Sequence, residues 1–147
     1  MNLCATHLNC IFDSDRFEIA LHRMKQTLEA VDKEYNGFVV RGVSGMGFSF
    51  ILGRELGKKV VVVRKNEKTH SQWNVENLGY NDKLVWIDDF VESGETGRSV
   101  DAAITKSNNV YDQECTIVGA LMYDAPDDLR WGNSAFKHLI RERNYND

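Results

Sequence analysis

The chain has 147 residues, with 18 Lys and Arg against 22 Asp and Glu and a formal net charge of −4. That length supports one domain's core, and a chain of this sign has no overall electrostatic attraction for nucleic acid or an anionic membrane surface. Hydrophobic residues at 42% and charged residues at 27% exclude wholesale disorder, and no apolar run reaches the roughly 18 residues of a bilayer span.

The opening MNLCATHLNCIFDSD carries no basic patch followed by an apolar stretch, so no secretory leader is expected. Cys4, His7 and Cys10 recur at intervals of three, but no second pair completes a tetrahedral zinc set. Three cysteines without paired spacing fit a reduced, cytoplasmic protein. Phe17, Leu21, Met24, Leu28, Val31 and Tyr35 alternate spacings of four and three, which predicts a helix over residues 14–35 with Asp13, Ser14 or Asp15 as its cap.

The grammar then changes. A short apolar run, Phe38-Val39-Val40, ends at Arg41 and a glycine loop, residues 42–47. Residues 48–56 read as a helix stopped by Gly57. The run Val60-Val61-Val62-Val63 leads into Arg64-Lys65, and residues 66–82 are polar without a clear period. Leu84-Val85-Trp86-Ile87 is apolar again and ends at Asp88-Asp89. A helix is expected over residues 96–106, a last strand over residues 116–123, and a short final helix around Phe136, Leu139 and Ile140. Trp86 reads as core, and Trp131 as a residue that either packs or stacks on a base.

Four short apolar runs separated by helical stretches predict an open, mostly parallel α/β sheet flanked by helices. One domain is expected over residues 1–147, with its core at about residues 36–123. Ligands of such sheets sit beyond the carboxyl ends of the strands, so chemistry is sought in residues 41–47, 64–70 and 88–96.

The first glycine loop fits neither of two nearby phosphate motifs. A dinucleotide fingerprint from Gly45 needs glycine where Phe50 stands, and a P-loop from Gly42 needs lysine where Phe48 stands. Residues 84–96 have a stricter order: a buried strand, two carboxylates, then Ser93-Gly94-Glu95-Thr96 entering a helix. Hard oxygens suit Mg²⁺, which keeps waters and needs only one or two carboxylates beside substrate phosphates. Hydroxyls and successive N–H groups at a helix start make a nest for a phosphate.

The thirteen residues 84–96 resemble the phosphoribosyl pyrophosphate (PRPP) signature of type I phosphoribosyltransferases: four hydrophobic residues, two acidic ones, spacers, and a Thr/Ser-Gly-x-Thr phosphate loop. The order of the rest is similar too. Residues 41–45 stand where that family binds pyrophosphate, residues 66–82 where it has a mobile loop, and Arg64-Lys65-x-x-Lys68-x-His70 resembles the basic opening of the orotate-type loop.

The resemblance implies definite roles. Asp88 and Asp89 would hold the ribose 2′- and 3′-hydroxyls, directly or through Mg²⁺ and its water. Ser93, Gly94, Glu95, Thr96 and Gly97 would cradle the 5′-phosphate. Arg41, Val43 and Ser44 would meet pyrophosphate, which Arg64, Lys65 and Lys68 would neutralise. Glu92 stands where purine-type members place an acid beside the base, and His70 and Lys68 join it as catalytic candidates.

The implied function is Mg²⁺-dependent transfer of a 5-phosphoribosyl group from PRPP to a nucleobase. The base stays open, because Glu92 leans purine and residues 64–70 lean orotate. A non-catalytic PRPP or nucleotide regulator, or an interaction protein on the same fold, is the alternative. A homodimer is left open, and the family's usual hood is reduced or absent here, with residues 1–35 and 124–147 its only candidates. The partners implied are PRPP and a nucleobase or nucleotide, with neither nucleic acid nor membrane.

Overall fold

The computed structural model describes residues 13–64 and 75–142. Helix α1, Ser14–Glu29, starts where the Asp13 carboxylate accepts from the Arg16 amide, and it buries Ala20, Leu21, Met24 and Leu28. The expected stripe is there, but the helix stops six residues early, before a 3-10 turn at Asp32–Glu34. The reason is tertiary. Lys58 Nζ donates to the carbonyls of Asp32 and Tyr35 and lies 4.2 Å over the Tyr35 ring. Those carbonyls turn to a lysine instead of continuing a helix, and Tyr35 stays in the core.

The four apolar runs become four parallel strands: β1 (Gly37–Arg41), β2 (Lys59–Val63), β4 (Lys83–Asp88) and β5 (Thr116–Met122). Two short strands not foreseen from the sequence, β3 (Val75–Glu76) and β6 (Leu129–Trp131), pair antiparallel at the edges, giving the order β3-β2-β1-β4-β5-β6. Two and three residues are too few for a period to show. Trp131 packs on Gly119, where an added Cβ would come within 2.8 Å of the ring.

Along β4 the side chains alternate between two cores. Val85 and Ile87 join Met24, Phe48 and Leu52 on one face, and Leu84 and Trp86 join Val100, Ile104 and Phe136 on the other. Helix α2, Val43–Leu56, covers the first face and helix α3, Glu95–Tyr111, the second. The last helix, α4, is Asn133–Leu139.

Helix α3 runs five residues past its expected end. Ser107-Asn108-Asn109 form helices poorly by themselves, but the Asn108 amide both donates to the Cys115 carbonyl (2.8 Å) and accepts from its N–H (2.9 Å). The helix end is thereby tied to the start of β5.

From β1 the chain crosses through α2 to β2 on one side; from β4 it crosses through α3 to β5 on the other. The carboxyl ends of the adjacent strands β1 and β4 therefore flank a topological switch point, where a crevice opens in such sheets.

Candidate functional site

An open cavity of about 320 Å³ lies at that switch point. It is lined by residues 41–44 after β1 and residues 88–97 after β4, with Trp86 beneath. Two helices begin at its wall. Helix α2 starts after Gly42, whose φ of 80° an L side chain rarely adopts, and α3 starts after Gly94, with φ of 85°. Each presents free N–H groups and a partial positive charge.

The glycine loop expected at residues 42–47 is shorter than its composition suggests. Val43 already begins α2, so Gly45 and Gly47 are helical. Gly45 serves close approach instead: a Cβ there would meet the Ile87 carbonyl at 2.4 Å. Its absence lets the first turn of α2 rest against the end of β4.

That contact is completed by a hydrogen bond. Ser44 Oγ donates to Asp88 Oδ1 at 2.7 Å, and the Asp89 N–H donates to the same oxygen at 2.9 Å. Asp88 is the last residue of β4, and Asp89 lies beyond it, so strand alternation no longer forces the two carboxylates apart. Both are buried. Burial pushes Asp88 up to about 6; the Ser44 hydroxyl and the Asp89 amide pull down, while the Asp89 carboxylate pushes up. Among the described residues no group of three or more His, Cys, Asp or Glu surrounds a common point. A cation here would be held by one or two carboxylates, with water and ligand oxygens completing its shell.

The second loop is as compact. The Glu95 N–H donates to Ser93 Oγ at 3.3 Å, and the N–H groups of residues 94–97 open α3. Glu92 and Glu95 are exposed at the rim, and Ser93 and Thr96 are half-buried. Gly97 is buried against Trp86 and Ile140; a Cβ there would lie 2.2 Å from Ile140 Cγ2 and 2.9 Å from the indole.

Arg41, Val43, Ser44, Asp88, Asp89, Glu92, Ser93, Gly94, Glu95, Thr96 and Gly97 thus line one cavity. Arg64 is the exception. It is exposed at the end of β2, ion-paired with Glu76 of β3 and absent from the cavity wall, because the antiparallel pairing of β3 places that carboxylate beside it. Lys65, Lys68 and His70 lie outside the described residues, as do Cys4, His7, Cys10 and most of the expected mobile loop.

Phe90 and Val91 line the cavity without having been singled out from the sequence. Neither α1 nor anything after β5 contributes to its wall, so no hood covers it among the described residues. No helix among them is long and apolar enough to cross a membrane.

Neither a protein-family model nor a curated protein matches this chain. Solved structures match it in fold. An adenine phosphoribosyltransferase from Thermoanaerobacter pseudethanolicus superposes on 76% of this chain and 70% of its own length, with a TM-score of 0.57 and 16% identity. An orotate phosphoribosyltransferase from Aeropyrum pernix does so over 76% and 60%, with a TM-score of 0.55 and 20% identity. A UMP synthase from Leishmania donovani covers 83% of this chain but only 27% of its own, with a TM-score of 0.54 and 10% identity. The chain therefore has the type I phosphoribosyltransferase fold. It spans well under the full length of these neighbours, and 60% of the orotate enzyme.

Proposed function

We propose that the protein binds PRPP with Mg²⁺ and transfers its 5-phosphoribosyl group to a nucleobase, releasing pyrophosphate. The observation that carries this reading is the Ser44–Asp88 hydrogen bond, which fixes the start of α2 to the end of β4. It sets two helix N-termini and two buried carboxylates around one cavity, an arrangement suited to a ligand with two anionic ends and a hydroxylated middle.

The N–H groups of residues 94–97 receive the 5′-phosphate, and Asp88 and Asp89 take the ribose hydroxyls between the two loops. The start of α2, with Arg41, Val43 and Ser44, receives the pyrophosphate. Asp88 and Asp89 also offer the hard oxygens that Mg²⁺ requires. Bound there, the ion would add neutralising charge at the leaving group.

Breaking the bond from C1′ to pyrophosphate builds positive charge on the ring and negative charge on the departing oxygens. Carboxylates near the ring and helix N-termini near the phosphates stabilise both without reorganising. Glu92, exposed at the rim beside the turn, is the group assigned in this reading to exchange a proton with an incoming base.

A second reading, a PRPP- or nucleotide-binding regulator on the same fold, is favoured by one observation. Among the described residues, neither α1 nor the chain after β5 contributes a wall for an acceptor base.

Titration calorimetry with Mg·PRPP, run beside a pyrophosphate-release assay over adenine, hypoxanthine, guanine, uracil and orotate, tests both. Binding with release for one base is the expected result. Binding without release for any base selects the regulator. A ligand at 100 times its Kd stabilises the fold by about 2.7 kcal/mol. No rise in melting temperature with PRPP, ribose 5-phosphate or nucleotides removes both readings.

A further inference from the structure

Arg98 stands in the first turn of α3, where a cation opposes the helix dipole. Something other than helix stability therefore holds it there. Its Nη1 donates to the Ser93 carbonyl at 2.9 Å and to the Ile140 carbonyl at 2.8 Å. One amino group thus joins the turn at residues 93–97 to the residue that ends α4, more than 40 positions away in sequence.

The surroundings leave no slack. A Cβ on Gly94 would meet the Ile140 carbonyl oxygen at 2.6 Å and Arg98 Nη1 at 2.9 Å, and a Cβ on Gly97 would overlap the Ile140 side chain. Ile140 is itself buried. The back of the turn is pressed against residue 140, and Arg98 closes the joint.

Resting on the phosphoribosyl reading above, we propose that Arg98 is a positioning residue that aims the phosphate-binding N–H groups. The C=O and N–H of a trans peptide point in opposite directions. With the Ser93 carbonyl held by Arg98, the Gly94 N–H is turned away from the guanidinium. Arg98 does not line the cavity and residues 93–97 do, so that donor is turned toward the ligand side. Arg98 itself lies off the cavity wall, behind the turn. Its main effect is to keep Gly94 in its left-handed conformation, with φ of 85°, before the ligand arrives.

The test compares wild type with Arg98→Met and Arg98→Lys, titrated separately with ribose 5-phosphate and with pyrophosphate. Amide hydrogen exchange of residues 94–97 is followed in the ligand-free proteins. Arg98→Met is expected to weaken ribose 5-phosphate binding about tenfold, with Arg98→Lys recovering part of it. Pyrophosphate, which meets the start of α2, should bind within twofold of wild type. Unchanged ribose 5-phosphate affinity overturns the inference, and so does equal loss of both ligands. If wild type binds neither ligand, the phosphoribosyl reading falls by itself, and exchange then decides on Arg98. Faster exchange at residues 94–97 in Arg98→Met upholds the brace; unchanged exchange ends it.

Discussion

Strand β4 is flanked by a buried aspartate at each end, and the two are treated in opposite ways. Asp82, just before the strand, and Asp88, its last residue, are each 4% exposed. Asp82 accepts from Lys59 Nζ (2.7 Å), Asn36 Nδ2 (2.8 Å) and the Gly79 N–H (2.6 Å). Burial alone would raise it, but the lysine and the other donors outweigh that and hold it below the ordinary 3.8. Asp88 receives a hydroxyl and an amide, faces a second carboxylate, and is pushed up.

The difference lies in the partners that one strand's two ends provide. A buried carboxylate given a cation is a fastening; one denied a cation is a socket that external charge can fill.

The largest effect expected from this contrast is on binding. Asp88→Asn together with Asp89→Asn should cost Mg·PRPP at least about a hundredfold in affinity, two charged hydrogen-bonding groups being lost. Calorimetry on the folded double variant showing unchanged affinity would refute the sugar-binding assignment.

Asp82→Asn should do the reverse. Removing the carboxylate strands Lys59, itself 27% exposed, at the edge of the core. Stability should drop by about 3 kcal/mol, at the low end for breaking a buried pair because solvent reaches the lysine. Denaturant titration measures this, and PRPP affinity should stay within a few-fold.

Asp88→Asn alone should stabilise the protein at pH 7 by up to about 3 kcal/mol, since the folded state no longer has to ionise that group. Asp88 rises from 3.8 to about 6 on folding, so the native state holds more protons between those values. Its contribution to stability therefore declines as pH increases from about 4 to 6 and stays low above. Asp82 is depressed, so its contribution is present above 3.8 and is lost as pH falls through its folded value. Melts of wild type and Asp88→Asn from pH 4 to 7 should diverge upward with pH; parallel curves would contradict the unequal treatment of the two carboxylates.

The smallest effect concerns Glu92. Being exposed, it shares proton traffic with water, so Glu92→Gln should lower kcat by about tenfold, with KM for PRPP unchanged. Equal loss in both constants would make Glu92 a ligand contact.

Most of the site was legible because it is local. Asp88 to Gly97 is one continuous stretch whose residue order is its chemistry, and Arg41 to Ser44 is another. Arg98 was not legible, since nothing in Gly-Arg-Ser signals a partner at residue 140. The place of Arg64 off the cavity wall was not legible either, because a basic residue after a strand looks available until the neighbouring edge strand supplies Glu76. The ends of α1 and α3 are set by contacts outside the helices: Lys58, 23 residues beyond Tyr35, stops α1, and Cys115, seven residues past Asn108, extends α3.

The sequence by itself determined the four parallel strands and the two loops that follow β1 and β4. Continuous apolar runs can be satisfied only between two layers, and glycine turns after strands mark where the chain leaves the sheet. Only the tertiary structure decided that those loops share one cavity, that Ser44 reaches Asp88, and that residue 140 braces the turn. These are contacts between segments more than 40 residues apart, set by strand order and by the backbone approach that Gly45, Gly94 and Gly97 permit. No local pattern encodes a distance across a sheet.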